Sequence, residues 1–151
     1  MWQVLAATNF DMNQTLLVTG GAGYIGSHTV LQLLAAGHDV LIADDFSNAK
    51  PAVIDRLEEL SGQSIKVHRV DLIDEAATAA IFAAEDIDAV IHFAGFKAVG
   101  ESVSEPLKYY RNNLDTAFSV LRAMDARGVR KFVFSSSATV YGENPVLQRT
   151  E

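Results

Sequence analysis

The chain has 151 residues, 49% hydrophobic and 21% charged, the mixture of one soluble globular domain and not of a disordered chain. Twelve Lys and Arg stand against nineteen Asp and Glu, so a net charge of −7 argues against a nucleic-acid partner, while one small anion can still be held by backbone amides. With no cysteine and no apolar run near the ~18 residues of a membrane span, disulfides, thiolate chemistry and a membrane partner are not expected, and a cytoplasmic location is.

Residues 1–14 carry no Lys or Arg, include Asp11 and lack periodicity, so they are expected to form a loose leader before a domain over residues 15–151. Thr15 to Thr19 is apolar enough for a strand buried on both faces. A glycine-rich turn follows, then a helical face of Ile25, Val30, Leu31, Leu33 and Leu34, with Gly37 placed as its C-terminal cap. Val40 to Ala43 is a second strand, ending in Asp44-Asp45. Pro51 opens a short helix whose apolar face is Val53, Ile54, Leu57 and Leu60. Ile65 to Val70 is a third strand, and Asp74 caps a helix running to about Ala84.

Ala89 to Phe93 is a fourth strand. Pro106 starts a long helix in which Leu107, Tyr110, Leu114, Ala117, Leu121 and Met124 recur at spacings of three and four, until Gly128. Packing of that helix on its own sheet is one reading and a homodimer face is the other. Lys131 to Ser135 is a fifth strand. Strands alternating with helices predict an α/β fold, a doubly wound parallel sheet of Rossmann-like order 3-2-1-4-5. Its ligands would sit at the carboxyl ends of the strands.

Thr19 to Gly26 reads Thr-Gly-Gly-Ala-Gly-Tyr-Ile-Gly. Two spacings fit a phosphate-binding turn, Gly20-x-x-Gly23-x-x-Gly26 and Gly21-x-Gly23-x-x-Gly26. Glycines allow the tight turn, the approach of a pyrophosphate and close packing of helix on strand. Asp44 lies 18 positions after Gly26, where an acid accepts ribose hydroxyls and repels a 2′-phosphate. NAD is therefore expected over NADP. Asp45 beside it leaves open which acid does this, and Asp71 is either an adenine contact or a plain helix-entry aspartate. His28, His38, His68 and His92 have no ligand-like spacing, so no metal site is expected.

The glycine turn with Tyr24-Ile25-Gly26-Ser27-His28 resembles the extended short-chain dehydrogenase/reductase superfamily. His92-Phe93-Ala94-Gly95-Phe96-Lys97-Ala98-Val99-Gly100-Glu101-Ser102, Pro106-Leu107-x-Tyr109-Tyr110-x-Asn112-Asn113 and Phe134 to Gly142 narrow the resemblance to the UDP-glucose 4-epimerase family. Sugar-nucleotide 4,6-dehydratases carry Thr-Asp-Glu where this chain has Ser137-Ala138-Thr139, without the carboxylates that an elimination needs.

The resemblance implies interconversion of UDP-glucose and UDP-galactose through a transient 4-keto sugar, with NAD as the resident hydride carrier and a homodimer as the assembly. It implies cofactor contacts by Gly20, Gly23, Tyr24, Ile25, Gly26, Asp44, Asp45, Asn48, Asp71, Leu72, Phe93, Ala94, Gly95, Lys97 and Asn112. Lys97 matches a lysine on the nicotinamide ribose, and Ser137 a catalytic serine on the reacting 4-oxygen. Phe46 and Ala49 depart from the family pattern.

The family's base is the tyrosine of a Tyr-x-x-x-Lys pair. Four positions after Tyr24, Tyr109, Tyr110 and Tyr141 stand His28, Asn113, Leu114 and Pro145, so the pair is absent from these 151 residues. The chain is expected to be an N-terminal portion, lacking the sixth strand and the sugar-nucleotide domain, and inactive alone. The alternatives are a non-catalytic NAD-binding or regulatory module, and the same portion of a UDP-N-acetylhexosamine or UDP-glucuronate 4-epimerase.

Overall fold

The structure is a computed structural model that describes residues 13–137. Five parallel strands form one sheet: β1 (Thr15–Thr19), β2 (Asp39–Asp44), β3 (Lys66–Arg69), β4 (Ala89–His92) and β5 (Lys131–Phe134), in the order β3-β2-β1-β4-β5. The crossovers carry α1 (Tyr24–Ala35), α2 (Ala52–Ser61), α3 (Glu75–Ala84), α4 (Val99–Ser104) and α5 (Pro106–Arg127). The expected doubly wound sheet and its strand order are therefore present.

Strand alternation sends neighbouring residues to opposite faces. Val18 and Ile42 pack with Val30, Leu34 and Leu57 of α1 and α2. Leu17 and Leu41 pack on the other side with Phe82, Val120 and Met124 of α3 and α5. This two-sided burial explains why Leu16, Leu17 and Val18 are all apolar and fully buried.

Local signals set the helix ends. After α1, the N–H of His38 donates to the Leu33 carbonyl at 3.1 Å and that of Gly37 to Leu34 at 3.0 Å, with Gly37 at φ +86°. This is a Schellman closure, which favours glycine because the left-handed region penalises a Cβ. Asp74 caps α3, its carboxylate accepting from the Ala77 N–H at 3.0 Å. Gly128, at φ +74°, closes α5.

Strand ends move by one residue, β2 gaining Asp39 and Asp44 and β4 and β5 stopping at His92 and Phe134, and three further details differ from the sequence expectation. The third strand is shorter, losing Ile65 and Val70, because an edge strand is held by β2 alone. Helix α4 was not expected: it is short, contains Gly100 and two serines, and carries no readable period. Gln14, assigned to the leader, is buried, and its carbonyl accepts from the Asp39 N–H at 3.0 Å. Residues 1–12 of the leader, and 138–151 with the remainder of the Ser-Ala-Thr-Val-Tyr-Gly motif, lie outside the described residues.

Candidate functional site

A cleft of about 600 Å³ runs along the carboxyl ends of the strands. That volume suits a small-molecule or cofactor site. At its centre is the β1–α1 turn. Gly20 sits at φ +66°, and a Cβ there would lie 2.7 Å from the Ala94 nitrogen. A Cβ on Gly26 would lie 2.3 Å from the Gly20 carbonyl oxygen, so α1 approaches β1 as only glycine permits. Gly20, Gly23, Tyr24, Ile25 and Gly26 line the cleft, whereas Gly21 faces the sheet, where a Cβ would lie 3.0 Å from the Ile42 side chain. Helix α1 has no side-chain cap and no acid in its first turn, leaving its leading N–H groups and dipole available to an anion.

Asp44 ends β2 beside this turn. One carboxylate oxygen accepts from the Ala22 N–H at 3.0 Å and the other from the Phe46 N–H at 2.9 Å. Burial pushes its pKa up, those two N–H groups oppose the shift, and the Asp45 charge adds to it. Each oxygen keeps further acceptor capacity for a ligand hydroxyl. Asp45 is exposed and spends one oxygen on the Ser47 N–H and hydroxyl, at 2.8 and 2.7 Å. The two acids thus separate, with Asp44 braced against the glycine turn and Asp45 ordering the loop that carries Asn48.

Asp71 and Leu72 line the same end of the cleft. Asp71 is also a helix-entry residue, since its carboxylate accepts from the Ile73 N–H at 3.0 Å. At the opposite end lie Phe93, Ala94, Gly95 and Lys97 after β4, and Asn112 of α5. The Lys97 ammonium donates to the Ser135 carbonyl at 3.4 Å. All the residues singled out as dinucleotide contacts therefore line one cleft. Ser137, three positions beyond the end of β5, is described but does not line it.

Several lining residues were missed. Ser47 and Ala49 complete the loop after Asp45, and Glu101, Lys108 and Tyr109 form a cluster at the far end beside Phe96, which belongs to the expected Phe93–Lys97 segment. There the Tyr109 hydroxyl donates to Glu101 at 2.7 Å and the Lys108 ammonium to the other Glu101 oxygen at 2.6 Å. Lys108 and Tyr109 hold the Glu101 carboxyl below the usual range. The available signal was the i, i+7 and i, i+8 spacing of Glu101 to Lys108 and Tyr109, which spans α4 and α5 and is legible only once α4 is known. Among the described residues no group of three or more His, Asp or Glu is placed to hold a metal ion.

The sheet order, the glycine turn and the braced acid define a Rossmann-like domain. Its sequence matches the profile Epimerase, the NAD dependent epimerase/dehydratase family, over residues 16–151, and the chain belongs to that family. It is 54% identical over 129 residues to "UDP-glucose 4-epimerase uge1" of Schizosaccharomyces pombe, spanning 85% of this chain and 36% of that protein. It is 53% identical over 127 residues to the UDP-glucose 4-epimerase of Bacillus subtilis, spanning 84% and 38%. Among solved structures, the Bifidobacterium longum UDP-glucose 4-epimerase in complex with NAD+ and UDP superposes with a TM-score of 0.84 at 49% identity, over 85% of this chain and 38% of that one. The Thermus thermophilus UDP-glucose 4-epimerase in complex with NAD gives 0.81 at 35% identity, over 91% and 42%. The chain thus spans about two-fifths of the length of these relatives.

Proposed function

We propose that this chain is the NAD-binding portion of a UDP-glucose 4-epimerase. The observation that carries the reading is the pairing of the Gly20–Gly26 turn with the Asp44 carboxylate, oriented by the Ala22 and Phe46 N–H groups. The residues fit a dinucleotide: the close approach at Gly26 leaves a backbone cradle at the α1 N-terminus, and Asp44 presents acceptors to a ribose. Gly23, Tyr24 and Ile25 would hold the diphosphate, Asp44 the adenosine ribose, and Lys97 and Asn112 the nicotinamide side. Bound NAD would supply a hydride acceptor at the far end of the cleft. The Lys97 charge there favours an anionic ligand.

Epimerisation also needs a base, and no Tyr-x-x-x-Lys pair occurs in these 151 residues. Without it, a general-base contribution of about 10²–10⁴-fold is missing. The chain alone is therefore expected to bind NAD and not to turn over a UDP-hexose. The reading of Ser137 as the serine on the reacting oxygen rests on its motif, Ser135-Ser136-Ser137, at the end of β5. A homodimer through α5 is the matching assembly, supported by the exposed apolar residues Leu107, Tyr110 and Phe118 on that helix.

Fluorescence titration with NADH tests the first half, and an assay for interconversion of UDP-galactose and UDP-glucose tests the second. The expected result is saturable NADH binding by the chain, without turnover. Absence of NADH binding would refute the reading. Turnover by the 151 residues alone would refute the assignment of the base to a pair they lack.

A further inference from the structure

The strand order sets out the cleft from end to end. Along its carboxyl edge come Asp71 after β3, Asp44 at the end of β2, the glycine turn after β1, and the Phe93–Lys97 segment after β4. A dinucleotide with its diphosphate over the glycine turn and one ribose at Asp44 must lay its second nucleoside along the β4–α4 loop. What fixes that loop decides where the second nucleoside sits.

The loop has little regular structure of its own. Gly95 is at φ +145°, outside the range of ordinary side chains. The next residue is held from α5. The Phe96 N–H donates to Asn113 Oδ1 at 2.7 Å, and Asn113 Nδ2 donates back to the Phe96 carbonyl at 3.0 Å. Asn112 Nδ2 donates to the same Asn113 oxygen at 3.0 Å. A Cβ on Gly95 would lie 3.0 Å from that oxygen, so the loop passes directly over the amide. One turn earlier on the same helix face, Tyr109 packs its ring on the Phe96 ring with centroids 5.5 Å apart.

We propose that Asn113 is a positioning residue of this site: it clamps the backbone of Phe96 and so sets the half of the cleft that receives the second nucleoside. The proposal rests on the dinucleotide reading given above. Only a carboxamide meets the requirement, because the loop offers one donor and one acceptor on the same residue. Aspartate accepts but cannot donate, and its charge would face the Phe96 carbonyl. Asn113 itself is only half-buried and lies outside the apolar cluster of Val120, Ala123 and Met124 that holds the C-terminal half of α5 on the sheet.

The test compares Asn113→Ala and Asn113→Asp with the unaltered 151-residue chain, titrated with NADH and with ADP. ADP carries the adenosine and diphosphate but no second nucleoside. Both variants are expected to bind NADH about tenfold more weakly, Asn113→Ala through two lost hydrogen bonds and Asn113→Asp through one lost bond and a carboxylate facing the Phe96 carbonyl, and to keep ADP affinity within about twofold. The emission enhancement of bound NADH is expected to fall with it, as the nicotinamide loses its fixed surroundings. Equal weakening of both ligands, by misfolding or otherwise, would overturn the proposal, as would no weakening of either. An unaltered chain that binds neither ligand overturns the dinucleotide reading itself and this inference with it. An unaltered chain that binds both, with variants that keep the same NADH-to-ADP ratio, overturns the inference alone.

Discussion

The hydroxyl of Thr19 and Nδ1 of His92 are hydrogen-bonded at 2.7 Å, the imidazole tautomer deciding which of the two donates. These residues end β1 and β4 and are partners in the sheet register. Both are buried to within 1%. The imidazole also packs on Phe132 and Phe134 of β5, each with ring centroids 5.8 Å away. One buried contact therefore ties together the carboxyl ends of β1 and β4, from which the glycine turn and the Phe93–Lys97 segment leave the sheet.

This contact makes stability pH-dependent. Burial, with the Lys97 charge acting in the same direction, lowers the His92 pKa from 6.5 to about 4. Between those values the unfolded chain binds a proton that the folded chain refuses. The contribution of His92 is therefore fully present above pH 6.5 and is lost as pH falls toward 4, about 3 kcal/mol over the whole window. His92→Gln, neutral throughout, should flatten that part of the curve while lowering stability at pH 7.5. Urea denaturation at pH 7.5, 6 and 5 measures both. Parallel pH profiles for the two proteins would contradict the buried neutral state.

Asp44 should control which dinucleotide binds, and at what pH. Its carboxylate must be ionised to accept two ribose hydroxyls. Burial raises its pKa above 3.8, so affinity for NAD should begin to fall at a higher pH than an exposed aspartate would impose. A 2′-phosphate would face that charge, and NADP should bind at least about tenfold more weakly. Arg69, the register partner of Asp44, lies with its guanidinium 5.8 Å from the Phe46 ring and is left as the nearby cation once Asp44 is neutralised. Asp44→Asn should weaken NAD binding, remove its pH dependence and narrow the gap to NADP. Calorimetric titration of both cofactors at pH 7.5 and 5.5 decides this. NADP binding as tight as NAD by the unaltered chain would discredit the role of Asp44.

Two glycine substitutions should move stability in opposite directions. Gly26→Ala places a methyl 2.3 Å from the Gly20 carbonyl oxygen and 2.8 Å from the Gly21 Cα, which are backbone atoms and cannot rotate away. It should destabilise the chain by roughly 2 kcal/mol or more and abolish dinucleotide binding. Gly100→Ala, inside α4 with nothing within 4 Å, should be neutral or stabilising by up to about 1 kcal/mol through helix propensity. Thermal unfolding with and without NADH reads both. A tolerated Gly26→Ala would mean that α1 can move off β1.

The frame of this domain was readable because its strongest signals are local or strictly periodic. The Leu16-Leu17-Val18 run announces a central strand by its unbroken apolar character, and Asp74 and Gly37 announce helix ends through contacts made within a few residues. The acid ending β2 is equally local, but which of Asp44 and Asp45 faces the glycine turn depends on the backbone of Phe46, which sits at φ +60°. The clamp of Asn113 on Phe96 spans 17 positions and joins a helix to a loop, so no window of sequence displays it. The long helix shows a different limit. Its period correctly marks an apolar stripe, but a period does not say what covers it. Its first half, Leu107, Tyr110 and Leu114, is exposed, whereas Met124 at its end is buried together with Tyr109, Thr116, Ser119, Val120 and Ala123, a partly polar side that a count of apolar spacings does not display.

The exposed start of that stripe, joined by Phe118, carries the last prediction. Leu107, Tyr110, Leu114 and Phe118 follow one another at spacings of three, four and four, so they share one face of α5. They are 81%, 66%, 48% and 51% exposed, and Val99 and Val103 of α4 extend the apolar surface at 65% and 79%. A surface of this kind is seldom left in water by a monomer. Two copies meeting across a twofold axis would bury the same residues on both sides, which is the arrangement that closes without leaving a sticky end. The 151-residue chain should therefore sediment as a dimer at micromolar concentration. Leu114→Glu with Phe118→Glu should shift it to monomer, with a dissociation constant raised on the order of 100-fold or more, because each buried charge lacks a partner. NADH affinity should survive, since neither residue lines the cleft. The competing surface is β5, the edge strand of the sheet among the described residues, where Val133 and Phe134 are 38% and 57% exposed. Association that persists in the α5 double variant but disappears on Phe134→Lys would assign self-assembly to the sheet edge and reject the helix face.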